Sequence, residues 1–260
     1  MNATFEFRHA VTRKPAPSII DGLRAEDTGA PDLEQMLSDH AAYVSALRST
    51  GAEVLELPPL DTYPDAVFVE DTMLCLPSVA VAMRPGAPSR QGEVAEMSPH
   101  LQAFYGEAMA EITTPGTIEG GDILVTGREI LVGLSARTNH EGVTQLSDIV
   151  REHGHSLRRV DTPEGILHFK TDCGLLDAET ILSTTRLAAS GCFEGYRVLH
   201  VPEGEEAAGN CIRFNGLVIM AAGFPRTAEM LDAHGYEVVQ INNSECAKLD
   251  GGMSCLSLRF

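Results

Sequence analysis

The amino-acid sequence predicts an α/β protein of five ββαβ units set around an axis, with residues 1–260 forming one domain. Three patterns carry that prediction. A glycine followed by a short alternating run recurs five times, a helical stripe precedes most of these glycines, and a pair of short apolar runs joined by a turn precedes each helix.

The glycine-led runs are Gly51–Leu57, Gly106–Ile112, Gly154–Val160, Gly195–Val201 and Gly235–Ile241, so successive glycines lie 55, 48, 41 and 40 residues apart. A glycine at that point is the expected left-handed stop of a helix. Leu33, Met36, Leu37, His40, Tyr43, Val44 and Leu47 follow helical spacing before the first glycine. Met97, Leu101 and Phe104 do so before the second, with Pro99 awkwardly between them. Val143, Leu146, Ile149 and Val150 make a third stripe, and Ala228, Leu231 and His234 a short one before the last glycine. Arg186–Glu194 is the poorest helix of the set.

Paired apolar runs fall at Thr72–Arg84, Asp122–Val132, Cys173–Thr184 and Asn210–Ile219, the last turning on Asn215-Gly216, a strong hairpin signal. The fifth pair is split between the ends. Cys255–Phe260, with alternating Leu256, Leu258 and Phe260, lacks a downstream partner, and Phe5–Val11 lacks an upstream one. Pairing the two shuts the ring and leaves no open sheet edge.

Composition narrows the partners. The net charge is −18 with 37 acidic against 19 basic residues, which argues against nucleic acid or an anionic membrane and is compatible with a small cationic ligand. No apolar run approaches the roughly 18 residues of a membrane span. The first nine residues, Met1–His9, show no basic-then-apolar signal pattern. Six cysteines without CxxC or metal-ligand spacing read as reduced cytoplasmic thiols, most of them core filler. No glycine-rich phosphate loop follows a strand and opens a helix, so no nucleotide cofactor is expected. Cys255 and His168 do not make a closed metal site, so no metal is expected either.

The loops entering the first strand of each unit meet at the axis. They carry Glu70-Asp71, Glu119-Gly-Gly-Asp122, His168–Asp172, Gly209-Asn210 and Ser254-Cys255. A thiol, an imidazole and two sets of carboxylates thus converge from distant parts of the chain. Cys255 follows the Gly251-Gly252 pair, whose glycines are expected to supply positive φ and close approach, although a free cysteine is more often simple core. His168 is the only histidine at such a position.

At these residues the chain resembles the guanidino-group-modifying (pentein) superfamily, and within it the dimethylarginine dimethylaminohydrolase family. The resemblance runs nearly end to end, through Ser18–Leu23, Pro64–Asp71, Arg84–Arg90, Pro115–Asp122, Ser135–Asn139, Leu167–Thr171 and Asp250–Cys255. It implies a five-bladed α/β propeller and hydrolysis of a small-molecule methylated arginine to citrulline and a methylamine. Residue by residue it implies Cys255 as nucleophile, His168 as general acid/base and Glu119 as the carboxylate completing a triad. It further implies substrate binding by Asp65, Glu70 and Asp71, carboxylate binding by Arg90 and Arg137, and backbone contacts from Leu23 and Leu249. Phe169 and Met253 depart from the family pattern at positions expected to alter packing more than chemistry, and leave the triad unaffected. A homodimer is left open.

The chemistry is consistent with the groups. A guanidinium carbon is a poor electrophile, and carboxylates facing its N–H edges hold it in a bidentate fork and keep it protonated. That role falls to Asp71 with Glu119. Cys255 attacks, and His168 protonates the leaving amine and then deprotonates water. The same carboxylates push the Cys255 thiol up, and a bound guanidinium reverses that local charge. Arg90 and Arg137, each after the second strand of a unit, suit the carboxylate end of the substrate. Asp21-Gly22 is a candidate lid with Gly22 as hinge. Two other readings remain: an arginine or agmatine deiminase using the same triad, and a non-catalytic propeller whose face binds a macromolecule.

Overall fold

Residues 5–260 are described by a computed structural model, and residues 1–4 of the N-terminal stretch read for a signal pattern lie outside it. In chain order, β1 (His9–Arg13), α1 (Leu33–Ser49) and β2 (Glu53–Leu57) begin the first unit. The second holds β3 (Met73–Leu76), β4 (Val79–Ala82), α2 (Glu93–Tyr105) and β5 (Met109–Glu111). The third holds β6 (Ile123–Val125), β7 (Ile130–Leu134), α3 (His140–Glu152) and β8 (Leu157–Asp161). The fourth holds β9 (Cys173–Leu175), β10 (Thr180–Ser183), α4 (Thr185–Ala188) and β11 (Arg197–His200). The fifth holds β12 (Ile212–Phe214), β13 (Leu217–Ala221), α5 (Pro225–Ala233) and β14 (Glu237–Ile241), followed by α6 (Ser244–Ala247) and β15 (Leu258–Arg259).

Each unit is a three-stranded sheet whose first strand runs antiparallel to the second and whose second runs parallel to the third. The expected closure across the termini is present: β15 pairs antiparallel with β1 through Ala10 opposite Arg259 and Val11 opposite Leu258, and β1 continues parallel to β2. All five punctuating glycines have positive φ, between 58° and 86°. The Asn215-Gly216 hairpin is two residues long, with Phe214 opposite Leu217 and Asn215 at φ 53°.

Of the two weakest expected helices, one forms through its proline and the other does not form. Pro99 lies inside α2 and does not end it. An interior proline costs about 3 kcal/mol, but full burial of Met97 and Leu101 on the same helix contributes about 1.5–3 kcal/mol each. Arg186–Glu194 is not a helix; only the single turn α4 forms, capped by the Thr184 hydroxyl, which accepts from the Leu187 N–H at 3.3 Å.

The apolar interior is divided into five clusters, each between two neighbouring units. Val11, Leu57 and Leu258 of the first meet Met73 and Met97 of the second, whose Leu76 and Val81 meet Ile123 and Val132 of the third. Leu131 and Val160 pack on Phe169 and Ile181, Leu182 on Val218 and Met220, and Phe214 and Ile219 on Tyr43 and Leu47 of the first unit again. Among the described residues, five interfaces join the five units and leave none unpaired, which is the packing of a closed ring.

Short 3-10 turns precede each first strand: Val69–Thr72, Gly120–Asp122, Phe169–Thr171, Glu206–Gly209 and Ser254–Leu256. Around the axis Val69–Thr72 touches Ser254–Leu256 and Gly120–Asp122, Gly120–Asp122 touches Phe169–Thr171, and Phe169–Thr171 touches Glu206–Gly209. Cys255 therefore sits in a 3-10 turn and not at the head of a strand, and the strand begins only at Leu258.

Candidate active site

The turn geometry depends on side chains that are absent. A Cβ on Gly120 would lie 1.9 Å from the Glu70 carbonyl oxygen, and one on Gly121 would lie 2.7 Å from His168 Nδ1. These two glycines let three turns close to backbone contact. The Gly251-Gly252 pair acts likewise: added Cβ atoms would meet Phe68 at 2.4 Å and the Asn210 side chain at 2.3 Å. The expected positive φ falls instead on Asp250, at 58°, whose carboxylate accepts from the Ala25 N–H at 2.6 Å. Asn210 Oδ1 accepts from the Ser254 N–H at 2.9 Å and so ties down the Cys255 turn.

Around these turns is a cavity of about 150 Å³ lined by Cys255, His168, Glu119, Asp71, Asp65, Arg90, Arg137, Leu23 and Leu249. Nine of the ten residues singled out in the sequence are brought together there. Arg24, Ala25, Phe68, Leu167, Asp250 and Gly251 complete the wall.

Glu119 is buried, and its Oε2 lies 2.6 Å from His168 Nε2. The Thr138 hydroxyl accepts from its N–H at 3.2 Å, while Thr138 in turn donates to Asp122 at 2.6 Å. Asp122 also accepts from the Phe169 N–H at 2.9 Å and thereby anchors the His168 turn. Burial opposes an imidazolium at His168. The Asp71 charge, the Glu119 hydrogen bond and Asp122 outweigh it, and His168 is pushed up to about 9.

Asp71 accepts from the Gly121 N–H at 2.8 Å and from Arg90 Nη1 at 2.5 Å. Burial works against its charge, but His168, Arg90 and the Gly121 N–H together hold it below the usual carboxylate range. Asp65 accepts from the Leu23 N–H at 2.9 Å, yet burial leaves its carboxyl raised. The Cys255 thiol is half-buried, receives the Gly252 N–H at 3.4 Å, and is pushed up to about 12 by burial and by Glu70 and Asp71.

The two arginines differ. Arg90 is buried, with Nε and Nη2 spent on Glu93 at 2.8–3.2 Å, Nη2 also on the Phe68 carbonyl at 2.7 Å, and Nη1 on Asp71. Arg137 is partly exposed, and its nearest acid, Glu119, is 3.8 Å away. Arg137 is the freer cation.

Glu70 departs from expectation. Its carboxylate is not in the wall of this cavity: Oε1 meets Lys170 and, at 2.7 Å, Arg259 Nη2, while Oε2 accepts from the Ser254 hydroxyl at 2.7 Å. Glu70 and Asp71 are neighbours on one tight turn and point to opposite sides of it. Lys170, Arg259, Glu93 and Asp122 were not singled out in the sequence. Two of them left a trace, Lys170 in the Leu167–Thr171 motif beside His168 and Asp122 in the Pro115–Asp122 motif, though neither was given a role.

Near Asp21-Gly22, the 3-10 turn Pro17–Asp21 ends at Gly22, where a Cβ would meet Asp65 and Leu249 at 3.1 and 3.2 Å. Leu23, Arg24 and Ala25 then form one side of the cavity mouth. Asp71, Glu119 and His168 each offer a ligand atom within 4.8 Å of the others, a donor set able to hold a metal ion or the N–H edges of a planar organic cation. No helix among the described residues is long and apolar enough to cross a membrane.

The arginine deiminase family model matches residues 94–190, a stretch holding Glu119, Arg137 and His168. The N(G),N(G)-dimethylarginine dimethylaminohydrolase of Pseudomonas aeruginosa is 41% identical over 98% of this chain and 100% of its own length. The enzyme of that name from Streptomyces coelicolor is 36% identical over 97% of each chain. A crystal structure of the P. aeruginosa enzyme, a cysteine-to-serine variant complexed with citrulline, superposes with a TM-score of 0.96 over 98% of this chain and 100% of that one.

Proposed function

The chain belongs to the N(G),N(G)-dimethylarginine dimethylaminohydrolase family, and from that premise we propose that it hydrolyses Nω-methylated arginine to citrulline and a methylamine. The observation carrying this reading is the convergence of Cys255, His168, Glu119, Asp71 and Arg137 on one small cavity, with His168 2.6 Å from Glu119.

The guanidinium lies against Asp71 and Glu119, two buried carboxylates that accept from its N–H edges and keep it cationic. Its charge offsets the anions that hold the Cys255 thiol protonated, and so favours the thiolate when substrate is present. Cys255 Sγ bonds to the guanidinium carbon. The tetrahedral adduct expels the methylated nitrogen as the neutral amine, with a proton from His168, which stands at about 9 and is charged at neutral pH. An S-alkylthiouronium remains on Cys255. The now neutral imidazole takes a proton from water, whose oxygen attacks the same carbon, and collapse passes the hydroxyl proton to the departing sulfur, releasing citrulline and the Cys255 thiol.

Arg137 binds the substrate carboxylate, joined by the one Arg90 Nη1 hydrogen that Asp71 does not use. Asp65, at the Leu23 side, serves the α-amino end, and Leu23 and Leu249 contribute their backbones. Phe68, Leu167 and Leu249 give the wall apolar surface suited to N-methyl groups. The cavity draws Leu23 from near one end of the chain and Cys255 from near the other, so the reading takes residues 1–260 as one catalytic domain.

The deiminase match favours a second reading, release of ammonia from unmethylated arginine. It covers neither Asp71 nor Cys255, and the relatives matched over their full length bear the other name. Incubation with Nω,Nω-dimethylarginine, monomethylarginine, arginine and agmatine separates the two. The proposal expects citrulline with methylamines from the first two and none after Cys255→Ser; turnover confined to arginine or agmatine would overturn it.

A further inference from the structure

The ring holds a second and larger cavity, about 1050 Å³, lined by the first strands of the units. Residues adjacent in sequence divide between the two cavities. Asp71, His168 and Cys255 line the small one, whereas Glu70, Lys170 and Ser254 line the large one together with Arg259. The turns are a septum with the proposed chemistry on one face and a buried ionic cluster on the other.

That cluster is centred on Glu70, whose oxygens meet Lys170, Arg259 Nη2 at 2.7 Å and the Ser254 hydroxyl at 2.7 Å. Arg259 Nη1 also donates to the carbonyls of Ser254 at 2.9 Å and Ser257 at 2.8 Å, gripping the chain on both sides of Cys255. A buried ion pair gives little stability over apolar packing, so fold stability is a weak reason for two cations here. The cluster carries one carboxylate and two cations, an excess positive charge directly behind a thiol whose front faces Asp71.

We propose that Lys170 and Arg259 are positioning residues for Cys255: acting through Glu70 and Ser254, they fix the turn that carries the thiol and supply the positive charge that offsets the carboxylates around it. This rests on the reading of Cys255 as nucleophile. The other groups facing Cys255 are Glu70 and Asp71 from the Val69–Thr72 turn, Lys170 from the Phe169–Thr171 turn, Arg259 from β15, Tyr43 from α1 and Cys246 from α6. His168 shares its cavity. Burial, Glu70 and Asp71 push the thiol up, and Lys170 draws it down.

The test is the rate at which iodoacetamide alkylates Cys255, followed by peptide-resolved mass spectrometry from neutral to alkaline pH, alongside kcat and KM. Lys170→Met slows alkylation about tenfold at fixed pH and moves its profile to higher pH. Glu70→Gln speeds it, and Lys170→Met with Glu70→Gln, which restores the charge balance, returns it close to the parent. Lys170→Arg retains the parent profile and serves if Lys170→Met does not fold. Unmoved profiles, or both single neutral variants shifting the same way as a loosened turn would, overturn the proposal. A profile that responds while the parent fails to release citrulline from methylated arginine refutes the functional reading and leaves the cluster's role standing. Intact hydrolysis with unmoved alkylation does the reverse.

Discussion

Replacing Glu119 by Gln keeps the shape of the His168 partner but removes its charge. The bond is 2.6 Å between buried groups, and a hydrogen bond to a charged group contributes about 1.5–3 kcal/mol. Divided by 1.36 kcal/mol per pH unit, its loss lowers the His168 titration by about 1–2 units, from about 9 towards 7–8. If the imidazolium is the acid that protonates the leaving amine, the rate falls as pH rises through that value. The variant therefore loses activity on the alkaline side about 1–2 pH units earlier than the parent, beyond any uniform loss from weaker guanidinium binding. An NMR titration of the His168 ring gives the same displacement without turnover. A ring titration that stays near 9 in Glu119→Gln refutes the assigned coupling.

Three further outcomes follow from the same geometry. Arg137→Ala raises KM by about 10–100-fold with kcat little changed, because the lost contact is made equally in ground and transition states; a substrate lacking the α-carboxylate is insensitive to the change. Gly121→Ala drives a methyl to 2.7 Å from His168 Nδ1 and 3.1 Å from Asp71 Oδ1, and lowers kcat/KM by at least about 100-fold; parent-like kinetics would show that the turn yields freely. Stability falls with rising pH: His168, raised from its ordinary 6.5 to about 9, contributes fully below about 6.5 and loses that contribution as pH passes about 9. Urea unfolding across that window should show a loss on the order of 3 kcal/mol, largely absent in a His168→Asn variant.

Much of this was legible in the chain because the repeat is periodic. Glycines at 51, 106, 154 and 235 mark helix stops whatever the tertiary packing, Gly195 closes a turn instead, and the split first unit followed from one unpaired run at each end. The stripe through Pro99 held as a helix because burial of Met97 and Leu101 overrides a local propensity. At the site, residue types announced the chemistry, but the side of a tight turn did not show. Glu70 and Asp71 read alike as loop acids, and only the three-dimensional turn sends one towards Lys170 and Arg259 and the other towards His168. Arg90 read as a free cation because Glu93, its main partner, lies on the neighbouring helix turn and carried no separate signal. Asp122 went unassigned because its partners Ser135, Thr138 and Phe169 come from other segments.

The covalent step is tested most directly by acid-quenching the enzyme during turnover of Nω,Nω-dimethylarginine and measuring its intact mass and Cys255 peptide. The account predicts an adduct on Cys255 with the mass of the substrate less dimethylamine, absent in Cys255→Ser. Steady release of citrulline with an unmodified Cys255, or with turnover surviving Cys255→Ser, would contradict it.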